Sequence, residues 1–337
     1  MQNEIRLSVV IPAYNPGTKF ISCLKSLGIN IKKIALTKNL IYELIIINDA
    51  GNKIDLNFNH GIKNIRYYRI RKNRGVGYAR QIGSRISKYN YIFYLDSDVV
   101  MEEDNTLVIL FEEFFKLRNV GSIGPVQSYR NLSEKFTSDF VSAKTCYGFD
   151  EVENEVESSG IRSECCLIEK DFLNLVGGWK FFPNAGGEEF ELGHRIAKNG
   201  KKNYVTKKTH YSTFYDDLYT GCRKVVSRTS SYISIFIDRK RFESKGSFAT
   251  FSQALSTFIT LLTLVVAIFS ILFTKIIPLL PILIFLNLLV EFNFLKFALK
   301  YYNKKNLIIY IFGIYAINLS IILGTLIGIF RLLDFKK

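Results

Sequence analysis

The chain has 337 residues, 48% of them apolar, enough to bury one large core or two modest ones. Its five cysteines (Cys23, Cys146, Cys165, Cys166 and Cys222) form no C-x-x-C pair, which argues against a disulfide scaffold and for reduced thiols in the cytoplasm. With 45 basic and 30 acidic residues the net charge is +15, leaving three kinds of surface open: nucleic-acid binding, apposition to an anionic membrane, or a lysine-filled solvent face.

The opening "MQNEIRLSVVIPAYN" has an apolar run too short for a signal peptide and no small-residue cleavage pattern, so the head is expected to stay on the side where it is made. Short runs rich in Val, Ile and Tyr then alternate with helix-like stretches. "RLSVVIPAY", "YELIIIND", "NIRYYRI", "YIFYLD" and "GSIGPV" read as strands, with helices at about 17–28, 74–88 and 103–117. Continuous apolar runs predict strands buried on both faces, hence a mostly parallel, doubly wound α/β sheet. Ligands of such sheets sit beyond the carboxyl ends of the strands, and here those ends carry "PAYNPG", "NDAGN" and "DSDVV".

Asp96 and Asp98 flank Ser97, so an extended backbone points both carboxylates to one side. Two carboxylates that close raise each other's pKa unless a cation joins them, and oxygen ligands with room for phosphate suit Mg²⁺ or Mn²⁺. Alone, a D-x-D triplet is weak. "NRGVGYARQIG" (residues 73–83) adds glycines that open a helix toward an anion, with Arg80 two turns in. A dinucleotide fingerprint is disfavoured, because the segment follows the third strand and lacks the third glycine.

Residues 128–163 include the acidic run "DEVENEVE" and read as a solvated loop or edge hairpin. "GGWKFFPNAGGEEFELGHRIAKNG" (177–200) carries the single tryptophan, Trp179, in a glycine-rich loop, then a helix from Glu188 to Lys198 ending at Gly200. Glu188 and Glu189 in its first turn suit the helix dipole, and a carboxylate at the end of a substrate loop also suits a general base. His210 follows the strand "NYVTKK" and is the one candidate metal-ligating histidine; His60 and His194 read as surface residues.

Lys and Arg concentrate at residues 223–245, ahead of the apolar tail, which favours an anionic leaflet over nucleic acid. Residues 219–243 alternate basic and apolar groups as an interfacial helix does; a last core helix of the head is the alternative. Charge-free stretches run from Phe248 to Thr274, Ile276 to Val290 and Asn306 to Phe330. They predict spans near 249–274, 276–295 and 306–330. The expected organisation is therefore a catalytic domain at 1–218, an interfacial region at 219–247 and a membrane region at 248–337. Lys296, Lys300, Lys304 and Lys305 follow the second stretch, which puts the head and that loop in the cytoplasm at the cell membrane. An intramembrane carboxylate such as Glu291 calls for a partner or a polar cavity, unless it sits at the interface.

"SVVIPAYNPG", "IIINDAGN", "NRGVGYARQIG", "FYLDSDVV" and "GGW" with "GEEFELGHR", in that order over about residues 7–215, resemble the family 2 glycosyltransferases of the GT-A fold. The resemblance implies transfer of a sugar from a nucleotide-diphosphate donor, with inversion, to an acceptor hydroxyl. It implies that Pro12, Ala13, Tyr14 and Asn15 line the nucleotide pocket, with Asp49 on the base, typically uracil. Gly75, Arg80, Asp96 and Ser97 would serve the donor, and Asp98 would hold Mn²⁺ or Mg²⁺ together with Asp96 and His210. Glu189 stands where the family has its catalytic aspartate, one methylene longer. Trp179, Gly187 and Glu188 belong to the acceptor loop. The Gln-x-x-Arg-Trp signature of processive synthases is absent, "RTSSY" standing in that region, so single additions are expected. A head beside a membrane makes a lipid or lipid-linked acceptor the expected one. A nucleotidyltransferase, or a silent membrane scaffold with "NDAGN" and "GEE" in place of the usual motifs, are the competing readings.

Overall fold

The computed structural model describes residues 4–58, 60–150, 155–158, 160–182, 187–239, 242 and 250–334. Two compact units emerge, one of residues 1–132 with 153–214 and one of residues 133–152 with 215–337. The first contains β1 (Glu4–Ala13), α1 (Lys19–Thr37), β2 (Asn39–Asn48), β3 (Ile65–Arg69), α2 (Val76–Ile86), β4 (Tyr91–Leu95), β5 (Val99–Met101), α3 (Thr106–Lys116) and β6 (Val120–Asn131). The chain then enters the second unit for α4 (Ser138–Asp150). It returns for β7 (Glu155–Ser158), β8 (Cys165–Glu169), α5 (Lys170–Leu175), α6 (Glu188–Lys198) and β9 (Lys202–Thr213). The second unit continues with α7 (Leu218–Arg239), α8 (Phe251–Phe269), α9 (Leu279–Val290), α10 (Phe292–Tyr301) and α11 (Leu307–Asp334).

The sheet runs β3-β2-β1-β4-β8-β6-β9-β5, with β7 on β9. Its first four strands are parallel, as the apolar runs predict. Beyond β4 the sheet is mixed: β8 lies antiparallel between β4 and β6, and β9 is parallel to β6 but antiparallel to β5. The sequence does not reveal this reversal, because burial on both faces, rather than strand direction, sets the apolar run.

Side chains alternate between two cores. Leu7, Val9, Ile11 and Phe93 pack with Leu24 and Leu27 of α1 and Leu110 of α3. Val10, Ile45, Ile92 and Tyr94 pack on the other face with Ala79 of α2, Leu173 of α5 and Leu192 of α6. This sandwich leaves the carboxyl ends of β1, β2 and β4 at a common rim.

Residues 128–163 differ from the expected loop or hairpin. Strand β6 continues to Asn131, α4 follows, and β7 pairs with β9 as an edge strand. Residues 151–154 of the acidic run lie outside the described residues. In the second unit Phe140 of α4 sits where Gly313 of α11 leaves room, a Cβ there falling 2.6 Å from the ring, and stacks edge-on against Phe294. Helix α7 covers the expected interfacial segment as far as Arg239, and it packs one face against α11 at Gly324 and Gly328, where added Cβ atoms would meet Val226 and Ser230 carbonyls at 2.7 and 2.9 Å.

Among the described residues two helical stretches, Phe251–Phe269 and Lys304–Leu333, are long and apolar enough to cross a membrane. The stretch expected as one span at 276–295 is instead a pair, Thr274–Val290 and Phe292–Tyr301, bent by 59° at Glu291. Lys144 Nζ of α4 meets Glu291 Oε2 at 2.8 Å, which is the partner that a carboxylate in an apolar stretch requires. Asn287 is likewise satisfied, accepting from Ser256 Oγ at 2.9 Å and donating to Thr260 Oγ1 at 2.7 Å.

Candidate active site

Strand β1 ends in Pro12 and Ala13, both buried, and releases Tyr14 into solvent and Asn15 with φ of 46°. Asn15 Oδ1 accepts from the Asn52 amide at 2.7 Å, and Asn48 Oδ1 accepts from the Gly51 amide at 2.7 Å. A side chain at Gly51 would strike the Asn15 amide nitrogen at 2.8 Å, which explains a glycine in "NDAGN". The β1 and β2 exits are thus clamped into one turn cluster.

Asp49, expected at the base, is buried, with its oxygens accepting from the amides of Arg74 at 2.9 Å and Gly75 at 2.7 Å. Gly75 (φ 88°) caps α2, a conformation that excludes most side chains. The carboxylate therefore fixes the start of the helix that carries Arg80.

Arg80 is 2% exposed. Its Nη2 donates to Asp96 Oδ1 at 2.7 Å, its Nη1 lies 3.9 Å from Glu188 Oε1, and its guanidinium stacks 5.0 Å from the Trp179 ring. One cation thus links the second helix, the D-x-D turn, the glycine-rich loop and the start of α6. Burial, opposed by Arg80 and reinforced by Asp98, pushes the Asp96 carboxyl up to about 6. Ser97 and Asp98 are half-buried beside it.

Gly187 (φ 95°) precedes α6, whose first turn buries Glu188 and leaves Glu189 half-exposed. The Ile161 amide donates to the Glu189 carbonyl at 3.3 Å, tying the chain before β8 to that turn. Residues 183–186, between Trp179 and Gly187, lie outside the described residues.

His210 is not brought to the carboxylate pair. Tyr211 pairs with Met101 of β5 and the His210 carbonyl accepts from the Glu102 amide, past the D-x-D turn, where the His210 Nδ1 meets Glu103 Oε1 at 2.8 Å, and that hydrogen bond raises the imidazole pKa. Among the described residues no group of three His, Cys, Asp or Glu side chains is arranged to hold a metal ion. His60 and His194 are half-buried rather than on the surface.

Two groups escape the sequence reading. The Glu164 carbonyl accepts from the Asp96 amide at 2.8 Å, and the Glu164 side chain accepts from Tyr211 Oη at 2.5 Å and meets Arg162 Nη2 at 3.0 Å. Arg162 also donates to Gln127 Oε1 at 3.0 Å. The second group, Gln81, Glu191 and Arg195, fastens the loop at Trp179. Only the Glu191–Arg195 pair, four residues apart on a helix, leaves a trace in the sequence.

A mixed α/β sheet whose carboxyl ends gather an acidic D-x-D turn, a capped helix and an acidic helix start defines a GT-A fold. Residues 8–166 match the profile of glycosyl transferase family 2. The poly(ribitol-phosphate) beta-N-acetylglucosaminyltransferase TarP of Staphylococcus aureus is 34% identical over 104 residues, 29% of this chain and 30% of TarP. Chondroitin synthase of Escherichia coli is 30% identical over 236 residues, 58% of this chain and 32% of that protein. The matched stretches span about a third of those relatives' length. The mannosyltransferase PcManGT from Pyrobaculum calidifontis, in complex with GDP-Man and Mn²⁺, shares the fold with a TM-score of 0.56 and 11% identity, covering 98% of this chain and 88% of that one.

Proposed function

We propose that the protein transfers a sugar from a nucleotide-diphosphate donor, favouring UDP, to a lipid or lipid-linked acceptor at the cytoplasmic face of a membrane. The observation that carries this reading is Arg80, which joins the D-x-D turn to the acidic start of α6 at the rim of the sheet. Relatives named for sugar transfer support the class, and PcManGT supplies a shared fold complexed with a nucleotide sugar. The apolar α8 and α11 support membrane attachment, and from it the lipid acceptor.

In this reading the Pro12–Asn15 and Asn48–Asn52 turns border the nucleotide, Asp49 and Gly75 fix the loop above it, and Asp96 faces the ribose. Asp98 with Asp96 fits Mn²⁺ or Mg²⁺: the donors are all oxygen, burial and mutual repulsion hold Asp96 near a pKa of about 6, and such ions take their remaining ligands from diphosphate and water. When bound, the ion neutralises charge on the leaving diphosphate. Glu189 removes the acceptor hydroxyl proton as that oxygen bonds to the anomeric carbon, and the bond to the diphosphate oxygen breaks with its electron pair. Trp179, Gly187 and Glu188 shape the acceptor side. One sugar is added per encounter.

The test is turnover of a panel of UDP- and GDP-sugars by the full chain with Mn²⁺ or Mg²⁺, with and without lipid acceptors. Glu189→Gln should lower turnover at least ~100-fold while donor binding persists, and chelation should abolish turnover. Near-normal turnover in Glu189→Gln removes Glu189 from the mechanism.

A further inference from the structure

Trp179 closes the Arg80 site from one side, its buried ring edge-on to Tyr94 at 5.3 Å, but its backbone belongs to a loop with two consecutive glycines, Gly177 (φ 84°) and Gly178 (φ 67°). Such a loop is costly to order unless contacts fix it. The contacts to the loop backbone come from two helices. On α2, Gln81 Oε1 accepts the Trp179 amide at 2.6 Å, and a Cβ on Gly178 would lie 2.4 Å from that oxygen. On α6, Arg195 donates Nη2 to the Gly178 carbonyl at 2.7 Å and Nη1 to the Val176 carbonyl. Its Nε and Nη2 also donate to Glu191 at 2.8 and 2.6 Å, and Glu191 meets Lys180 at 2.6 Å. Against the cost of burial, Arg195 and Lys180 hold the Glu191 carboxyl below the usual carboxylate range, so the fork stays charged and oriented.

We propose that Arg195 is a positioning residue for sugar transfer: it fastens the Gly177–Trp179 loop, and through the Trp179 ring it holds Arg80 between Asp96 and Glu188. The proposal rests on the glycosyltransferase reading. Arg195 lies in "GHRIAK", about two turns past Glu188 and Glu189, so the helix that presents those carboxylates also sets the loop they face. A planar guanidinium spreads its donors over three nitrogens and so reaches both carbonyls and both carboxylate oxygens of Glu191, whereas a lysine ammonium has three donors on one nitrogen.

Trp179 is the only tryptophan, so fluorescence reads the loop directly in the full chain in detergent. Arg195→Gln and Arg195→Lys are compared with wild type and with Arg85→Gln, on the exposed face of α2. Both Arg195 variants should red-shift Trp179 emission and increase acrylamide quenching. They should also lower kcat on the order of 100-fold, as a misplaced site does, with donor KM within about twofold. Arg85→Gln should match wild type. The proposal is overturned if folded Arg195→Gln keeps wild-type emission, if emission shifts while kcat does not, or if Arg195→Lys restores both signals. Wild type and Arg85→Gln turning over no nucleotide sugar would sink the functional reading instead, and emission would still decide whether Arg195 fastens the loop.

Discussion

Arg80 concentrates the electrostatics of the site in one side chain. A fully buried guanidinium is costly to desolvate, and Asp96 and Glu188 offset that cost from two directions, with the Trp179 face as a third contact. Arg80→Met would leave two carboxylates uncompensated, and breaking such a buried pair costs about 3–5 kcal/mol. The expected outcome is a fall of that size in urea-unfolding stability, partly restored by adding Asp96→Asn; unchanged stability would mean that Arg80 is not the charge that holds these groups. At this scale the sequence shows Arg80, Asp96 and Glu188 as candidates, because glycines and strand ends mark them. It does not show that they meet, since 16 residues separate Arg80 from Asp96 and far more separate both from Glu188. His210 marks the limit of motif reading. Its residue type suits a metal, but the β5–β9 register sets it beside Glu102 and Glu103.

At the scale of elements, Glu43 binds the parallel half of the sheet. It is buried on β2, accepts from Ser8 Oγ of β1 at 2.8 Å and from the Lys88 amide at 2.6 Å, and meets Arg66 of β3 at 2.5 Å. Burial alone would raise its pKa, but the Arg66, Lys88 and Ser8 contacts outweigh that and lower it. A carboxyl depressed in the folded state adds stability above its ordinary value of about 4.3, and that stability is lost as pH falls through the lower folded value. Wild type should therefore lose stability on acidification below about pH 4 more steeply than Glu43→Gln, which should be less stable at pH 7. Urea midpoints across a pH series give the comparison, and parallel curves would exclude Glu43. The strands themselves were legible from their apolar runs; the antiparallel insertion of β8 was not, because Cys165–Ile168 are buried as deeply as any parallel strand.

For the whole molecule, the α4 segment is the feature that composition hides. Its residues lie between two strands of the sheet, yet they pack into the helical unit through Phe140 on Gly313 and Lys144 on Glu291. Lys144→Met should destabilise that unit by about 3–5 kcal/mol by stranding a buried carboxylate, and Lys144→Met with Glu291→Leu should recover most of the loss. Thermal unfolding in detergent reads both, and equal loss in the single and double variants would count against the pair.

The sequence by itself determined the α/β order of the sheet unit, the rim where its site forms and the apolar stretches of the tail. Those follow from periodicity and turn chemistry, which act between near neighbours. The tertiary structure alone decided the partners: Arg80 between two carboxylates, Arg195 beneath the Trp179 loop, His210 away from the D-x-D pair, and a helix bent at Glu291 where Lys144 meets it. Each depends on groups distant in the chain, whose pairing is set by packing and by the cost of leaving a buried charge alone.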